Sequence, residues 1–171
     1  MSIDTTLSPD ALSHLWAEIA KNEQLPDWYE LSEHGEIIMS PKPSNRHQRL
    51  CAEIAFQLRA QLGGEAVVEA AVLTVSAGVR VPDVVWMPAE KWQILRTDQD
   101  LLEAPELVVE VLSPGNRQIE INHKIQAYLA SSVQEVIIVG LDGVLTYHHA
   151  TGIQPASTFG ITLTLPRHLF R

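Results

Sequence analysis

Apolar residues recur at helical spacing in three stretches of the chain and alternate, or run on unbroken, in several others. Ser8-Pro9 opens the first stretch in the cap-then-proline order, and Leu12, Leu15, Trp16 and Ile19 follow on one stripe, so a helix is expected there. Residues 28–39, WYELSEHGEIIM, read as two short strands around His34-Gly35, a hairpin signal. The loop MSPKPSN, 39–45, is broken by its prolines. A second helix is expected from about Arg46 to Leu62, with Leu50, Ile54, Leu58 and Leu62 as its core stripe and Gly63-Gly64 closing it. Strand-like runs follow at 66–75, 79–87 and 106–112, then a third helix near 117–130, then strands at 135–140, 143–148 and 158–164. The segment from Glu90 to Glu103 reads as a connector. No internal repeat or low-complexity segment interrupts this order. Helix, hairpin, helix, strands, helix, strands predicts an α/β (α+β) fold with a mixed β-sheet flanked by helices.

Polar residues inside the apolar runs carry the candidate chemistry. In PELVVEVLSP, residues 105–114, Glu110 stands among Val and Leu, on the face shared by Val108 and Leu112. In VRVPDVVWM, alternation puts Val79, Val81, Asp83, Val85 and Met87 on one face. Strands apolar on both sides are covered central strands, where a charge costs several kcal/mol unless it is paired. Two acids in nearby strands repel unless a cation lies between them. Asp83, Glu110 and the carbonyl of Val111 supply the oxygen donors that a hard ion such as Mg²⁺ takes. The structural alternative is two acids at strand ends, partly solvated or paired with Arg80 or Lys124. On the third helix Ile121, Lys124, Ile125 and Tyr128 share a stripe, which Arg117 starts, and the helix should fold back across the Glu110 strand. Lys124 taken alone also fits a snorkelling surface lysine paired with Glu120.

The second helix adds His47, in its apolar stripe near the N-terminus, as a site member or a satisfied core histidine. Glu53 points away from that stripe, and Glu36 approaches from the hairpin on weaker grounds. Lys42, Arg46 and Arg49 form a local basic group suited to a phosphate backbone. Cys51 reads as a small buried hydrophobe, and His148-His149, at a strand end, as solvent-facing.

Composition narrows the classes. The chain has 171 residues, enough for one domain with a proper core, and 46% of them are hydrophobic. Net charge is −9, with 21 acids against 12 bases, which argues against indiscriminate nucleic-acid or anionic-membrane binding. A single cysteine rules out an internal disulfide framework. No signal peptide and no membrane-length apolar run is visible, so a cytoplasmic protein is expected. No H-x-x-x-H pair, phosphate-binding glycine loop or G-x-S-x-G elbow is present.

Taken together, P-D at 82–83, E-V-L-S-P at 110–114 and E-x-x-x-K-x-x-x-Y at 120–128, followed by a strand, resemble the Uma-two family of restriction-endonuclease-like proteins, within the PD-(D/E)xK nuclease superfamily. YELSEHGEIIMSPKPSNRHQRL is similar to that family's opening hairpin, proline loop and His-bearing helix, and the match runs from about Trp28 to Leu141. The resemblance implies a sheet flanked by helices, Asp83 and Glu110 as metal ligands, and hydrolysis of DNA phosphodiesters with Mg²⁺ or Mn²⁺. Three positions depart from the pattern. Leu112 stands where the parent motif has lysine, and Lys124 is the matching migrated residue. Glu120 replaces an expected Asp, and Val136-Ile137 replaces aromatics. Two classes follow: a metal-dependent endonuclease, as a homodimer to cut both strands of a duplex, or a catalytically silent nuclease fold serving as a binding or oligomerisation module.

Overall fold

A computed structural model describes residues 5–93 and 101–170. The middle of the 90–103 connector lies outside the described residues. Helix α1 (Pro9–Ala20) begins as expected, with Ser8 Oγ accepting from the Ala11 amide at 3.2 Å. The hairpin forms as β1 (Tyr29–Leu31) and β2 (Ile37–Met39). Helix α2 (Asn45–Leu62) is capped by Ser44, whose Oγ accepts from the His47 amide at 3.1 Å. It ends at Gly63, where φ is +66°, a conformation that favours glycine.

The next two runs, each expected as one strand, are both broken in two. Residues 66–75 become β3 (Glu65–Val68) and β4 (Val72–Leu73), and residues 79–87 become β5 (Val79–Arg80) and β6 (Val84–Met87). Pro82 has no N–H for a ladder, and Glu69, at φ +52°, turns the chain between β3 and β4. Each half joins a different sheet. The shared face expected for Val79, Val81, Asp83, Val85 and Met87 therefore ends at Pro82. A short helix α3 (Ala89–Gln93) and strand β7 (Leu102–Glu103) flank the undescribed residues. Then follow β8 (Leu107–Val111), α4 (Gln118–Ala130), β9 (Glu135–Val139), β10 (Leu145–His149) and β11 (Gly152–Gln154), with a 3₁₀ turn at Arg167–Phe170.

Two mixed sheets result, where one was expected. The first runs β2-β1-β5-β4-β7, and the second β11-β10-β9-β8-β6-β3. Parallel pairs are β4 with β7 and β8 with β9; the other neighbours are antiparallel. A parallel pair needs a crossover, and α4 supplies it between β8 and β9. Central strand β8 is buried at every residue, and its two faces serve two clusters. Leu107, Val109 and Val111 pack with Val84, Trp86 and the α2 stripe. Val108 packs with Val85, Met87 and the α4 residues Ile121, Ile125 and Tyr128. A third cluster joins α1 to the first sheet.

Residues 158–164 also depart from expectation. Ile161 and Leu163 are buried and alternate as a strand would, yet among the described residues they pair with no strand. Gln61 instead exchanges two hydrogen bonds with the Thr162 backbone, at 2.9 Å each, and Gln57 two with Thr164, at 2.7 and 2.8 Å. Two side chains of α2 thus supply the donors and acceptors of a missing strand. His149, expected to face solvent, is half-buried and sits 2.7 Å from Glu135, which also accepts from Ser157 Oγ and the Thr158 amide. Among the described residues no helix is long and apolar enough to cross a membrane.

Candidate functional site

The register of β6 and β8 sets the two acids side by side. Val84 faces Val109 and Val85 faces Val108, so the next step outward brings Asp83 to Glu110. Asp83 lies at the ladder's end, where its Oδ2 accepts the Val111 N–H at 2.6 Å. Its Oδ1 lies 3.2 Å from His47 Nε2. The Ser44 cap, by fixing the start of α2, fixes His47 there. Glu110 stands on the face of β8 that it shares with Val108, toward the cluster under α4, because β-strand side chains alternate. Its Oε1 accepts the Tyr128 hydroxyl at 2.8 Å and lies 3.6 Å from Lys124 Nζ. Tyr128 and Lys124 are one helical turn apart, so a single face of α4 delivers both.

Lys124 does not pair with Glu120, which is taken by Arg117 at 2.5 Å. It donates instead to Glu30 on β1, at 2.9 Å. Glu30 also accepts the Val81 amide at 2.9 Å and Arg80 Nη1 at 3.1 Å. Lys124 is therefore held between two buried carboxylates. Glu30 is the site member that sequence reasoning missed, although it carries the same signal as Glu110: an acid enclosed by apolar neighbours in W-Y-E-L. Glu69 was missed too. Its amide donates to the Asp83 carbonyl at 3.1 Å, and its carboxylate accepts from Gln48 at 2.9 Å.

Electrostatics separate these carboxylates. Burial pushes Glu110 up from 4.5 to about 7; Asp83 and Glu30 add to the rise, while Lys124 and Tyr128 oppose it. Burial would raise Glu30 as well, but Lys124, the Val81 amide and Arg80 outweigh it and hold Glu30 below the usual carboxylate range. Burial works against the Lys124 ammonium, yet Glu110 and Glu30 more than compensate, so its pKa lies above the ordinary value. The hydrogen bond to Asp83 raises His47, helped by the Asp83 charge and the Val111 backbone against the effect of burial.

These groups share one cavity of about 540 Å³, lined by Asp83, Glu110, Val111, Lys124, His47 and Glu30 among others. All five sequence-derived site residues thus reach it. Lys42 lines it as well. Arg46 turns instead to the C-terminal segment, donating to the Leu169 carbonyl and lying over the Phe170 ring. Glu36, expected to approach, is exposed next to the hairpin turn and does not line the cavity; Glu53 bonds Gln57 and does not line it either.

The donor set fits a hard cation. Among the described residues five carboxylates line the cavity, from Asp27, Glu30, Glu69, Asp83 and Glu110, against two lysines. Burial, more than any neighbouring charge, holds Glu110 above the usual carboxylate range. Among the described residues, His47, Cys51 and Asp83 also place ligand atoms within 4.8 Å of one another. Burial drives the Cys51 thiol far up, so it stays protonated and is a poor ligand. Carboxylate oxygens, the donors a hard ion takes, therefore outweigh thiolate in this lining.

With two mixed sheets, flanking helices and a carboxylate-lined cavity at the β6–β8 strand ends, the chain has the form of a nuclease-like α+β protein. It belongs to the Uma2 family, described as "Putative restriction endonuclease", whose model matches residues 18–165. In fold it is similar to the crystal structure of "a putative nuclease belonging to DUF820" from Anabaena variabilis ATCC 29413. The TM-score is 0.69 and the identity 17%, and the match covers 96% of this chain and 97% of the other. No curated protein matches the chain.

Proposed function

We propose that the protein is a metal-dependent endonuclease that hydrolyses phosphodiester bonds of DNA. The observation that carries the reading is the geometry of Glu110, a buried acid beside Asp83 with Lys124 Nζ 3.6 Å away, in a cavity where carboxylates outnumber cations among the described residues. Asp83, Glu110 and the Val111 carbonyl hold one or two Mg²⁺ or Mn²⁺ ions. When bound, such an ion polarises the phosphate and acidifies a water. Val111 N–H keeps Asp83 aimed, and His47 Nε2 holds a proton against Asp83 Oδ1, so both act on the ligand's orientation. Lys124 Nζ stabilises the charge that grows on the phosphate oxygens. Glu30 positions that ammonium and keeps it protonated. A homodimer in the cytoplasm, one site per protomer, belongs to the same proposal.

Supercoiled plasmid incubated with the protein and Mg²⁺ or Mn²⁺ tests it. Wild type is expected to nick, EDTA to stop the nicking, and Glu110→Ala and Lys124→Ala to show none, because phosphate-ester hydrolysis is very slow uncatalysed. Equal nicking by the variants, or none by wild type, would refute the assignment and leave the binding-module reading of the fold.

A further inference from the structure

The cavity has a second character beside its charged floor. Trp16, Tyr29, Ala71 and Val81 line it and belong to the single apolar cluster that joins α1 to the first sheet. Trp16 and Tyr29 pack ring to ring at 5.0 Å and stiffen that flank. Next to them in the lining is Trp28, half-buried, with Lys42 Nζ 5.8 Å from its ring centroid. The Ser40 amide donates to the Trp28 carbonyl at 3.0 Å, which ties the proline loop carrying Lys42 to the strand entry carrying Trp28. An aromatic surface, a lysine ammonium and an acid floor thus line one recess.

Resting on the phosphodiesterase reading, we propose that the cavity takes one unpaired nucleotide of a DNA strand, its base against Trp28 and its phosphate between Lys42 and the acid floor. Three observations exclude an intact duplex as the preferred guest. The floor is recessed, since the Glu110 and Lys124 side chains are only 8% and 23% exposed, so a reacting phosphate must leave the line of a paired backbone. The cavity, at about 540 Å³, is the size of a small-molecule site and not of a groove that follows a helix. Duplex tracking draws on many phosphate contacts, yet this chain carries −9 overall, Arg46 is turned toward Leu169 and Phe170, and among the described residues Lys42 and Lys124 are the only lysines in the lining. Stacking on an aromatic ring needs no such surface, because every base has a π-face.

The test is fluorescence anisotropy in Mg²⁺ with a short labelled oligothymidylate and with a hairpin duplex of similar length. The strand is expected to bind at least about tenfold more tightly than the duplex, and Trp28→Ala to lose about tenfold on the strand alone. Trp28→Phe, which keeps a ring, should retain most of the affinity, and melting curves of both variants check their folding. Equal affinity for strand and duplex, or unchanged strand binding by a folded Trp28→Ala, would overturn the proposal. The plasmid assay fails independently. Strand binding without nicking removes the nuclease activity but not the nucleotide site, and nicking without strand preference removes the nucleotide site but not the activity.

Discussion

Asp83 and Glu110 stand side by side on paired strands, yet they are held in opposite ways. Asp83 is fixed by a backbone amide and a histidine, whereas Glu110 meets a tyrosine hydroxyl and a lysine that is shared with Glu30. The consequence for pH has a definite sign. Glu110 moves from 4.5 to about 7 on folding, so between those values the folded protein keeps a proton that the unfolded chain has lost. Its contribution to stability is full below about 4.5 and is lost as pH rises through about 7. Glu110→Gln cannot ionise and should flatten the fall in melting temperature between about pH 5 and about pH 8. An unchanged fall in that variant would show that another group carries it. Glu30→Gln removes the carboxylate facing Arg80 and one of the two facing Lys124, and should cost about 3 kcal/mol in urea denaturation. Adding Lys124→Met should recover part of that loss, because the uncompensated charge is then gone. Strictly additive losses would count against the pairing. At this scale the sequence revealed Asp83, Glu110 and Lys124 because each breaks an apolar pattern. It hid what Lys124 pairs with, since Glu30 lies 94 residues away.

Among the elements, helices were the most legible. The Ser8-Pro9 cap, the α2 stripe and the α4 stripe all depend on local spacing, and the structure follows them. Strands were less so, because alternation marks a buried face without naming the partner. Residues 158–164 alternate correctly but lie against α2, through Gln57 and Gln61, and not in a sheet. Gln57→Ala combined with Gln61→Ala removes the four hydrogen bonds to Thr162 and Thr164, and at about 1 kcal/mol net or less for each, partly regained from water, should cost about 1–3 kcal/mol. Hydrogen exchange is the sharper readout, with the Thr162 and Thr164 amides losing protection while β8 keeps its own. Unaltered protection of those two amides would mean that packing of Ile161 and Leu163 suffices.

For the molecule as a whole, nothing in the periodicity foretells that two runs each divide between two sheets. The dividing points are Glu69 and Pro82, and both lie against the site: Glu69 lines the cavity, and Pro82 precedes Asp83. The cavity exists because the sheets part there, which periodicity within a single run does not reveal. Under the proposed function, its carboxylate excess would make cation binding a property of the folded state. A ligand of that kind stabilises by mass action, about 2.7 kcal/mol at a hundredfold excess over Kd. Mn²⁺ should therefore raise the melting temperature of wild type by about 5–10 °C under those conditions, more at pH 8 than at pH 6 as protons cease to compete. Asp83→Ala should show no such rise, and EDTA should reverse it in wild type. A Mn²⁺ response in Asp83→Ala equal to that of wild type would move the ion elsewhere.

The glutamine-held segment bears on how the protein is made. Ile161, Leu163 and Leu169 complete the cluster that also contains Leu50, Ile54, Leu58 and strands β6, β8 and β9. On the ribosome these residues emerge after every strand and helix they cover. Until they arrive, α2 and the exposed side of β8 and β9 present an apolar face to solvent, open to chaperones and to neighbouring nascent chains. Closure of that face, and with it the rigid seat of His47, is a late event in synthesis.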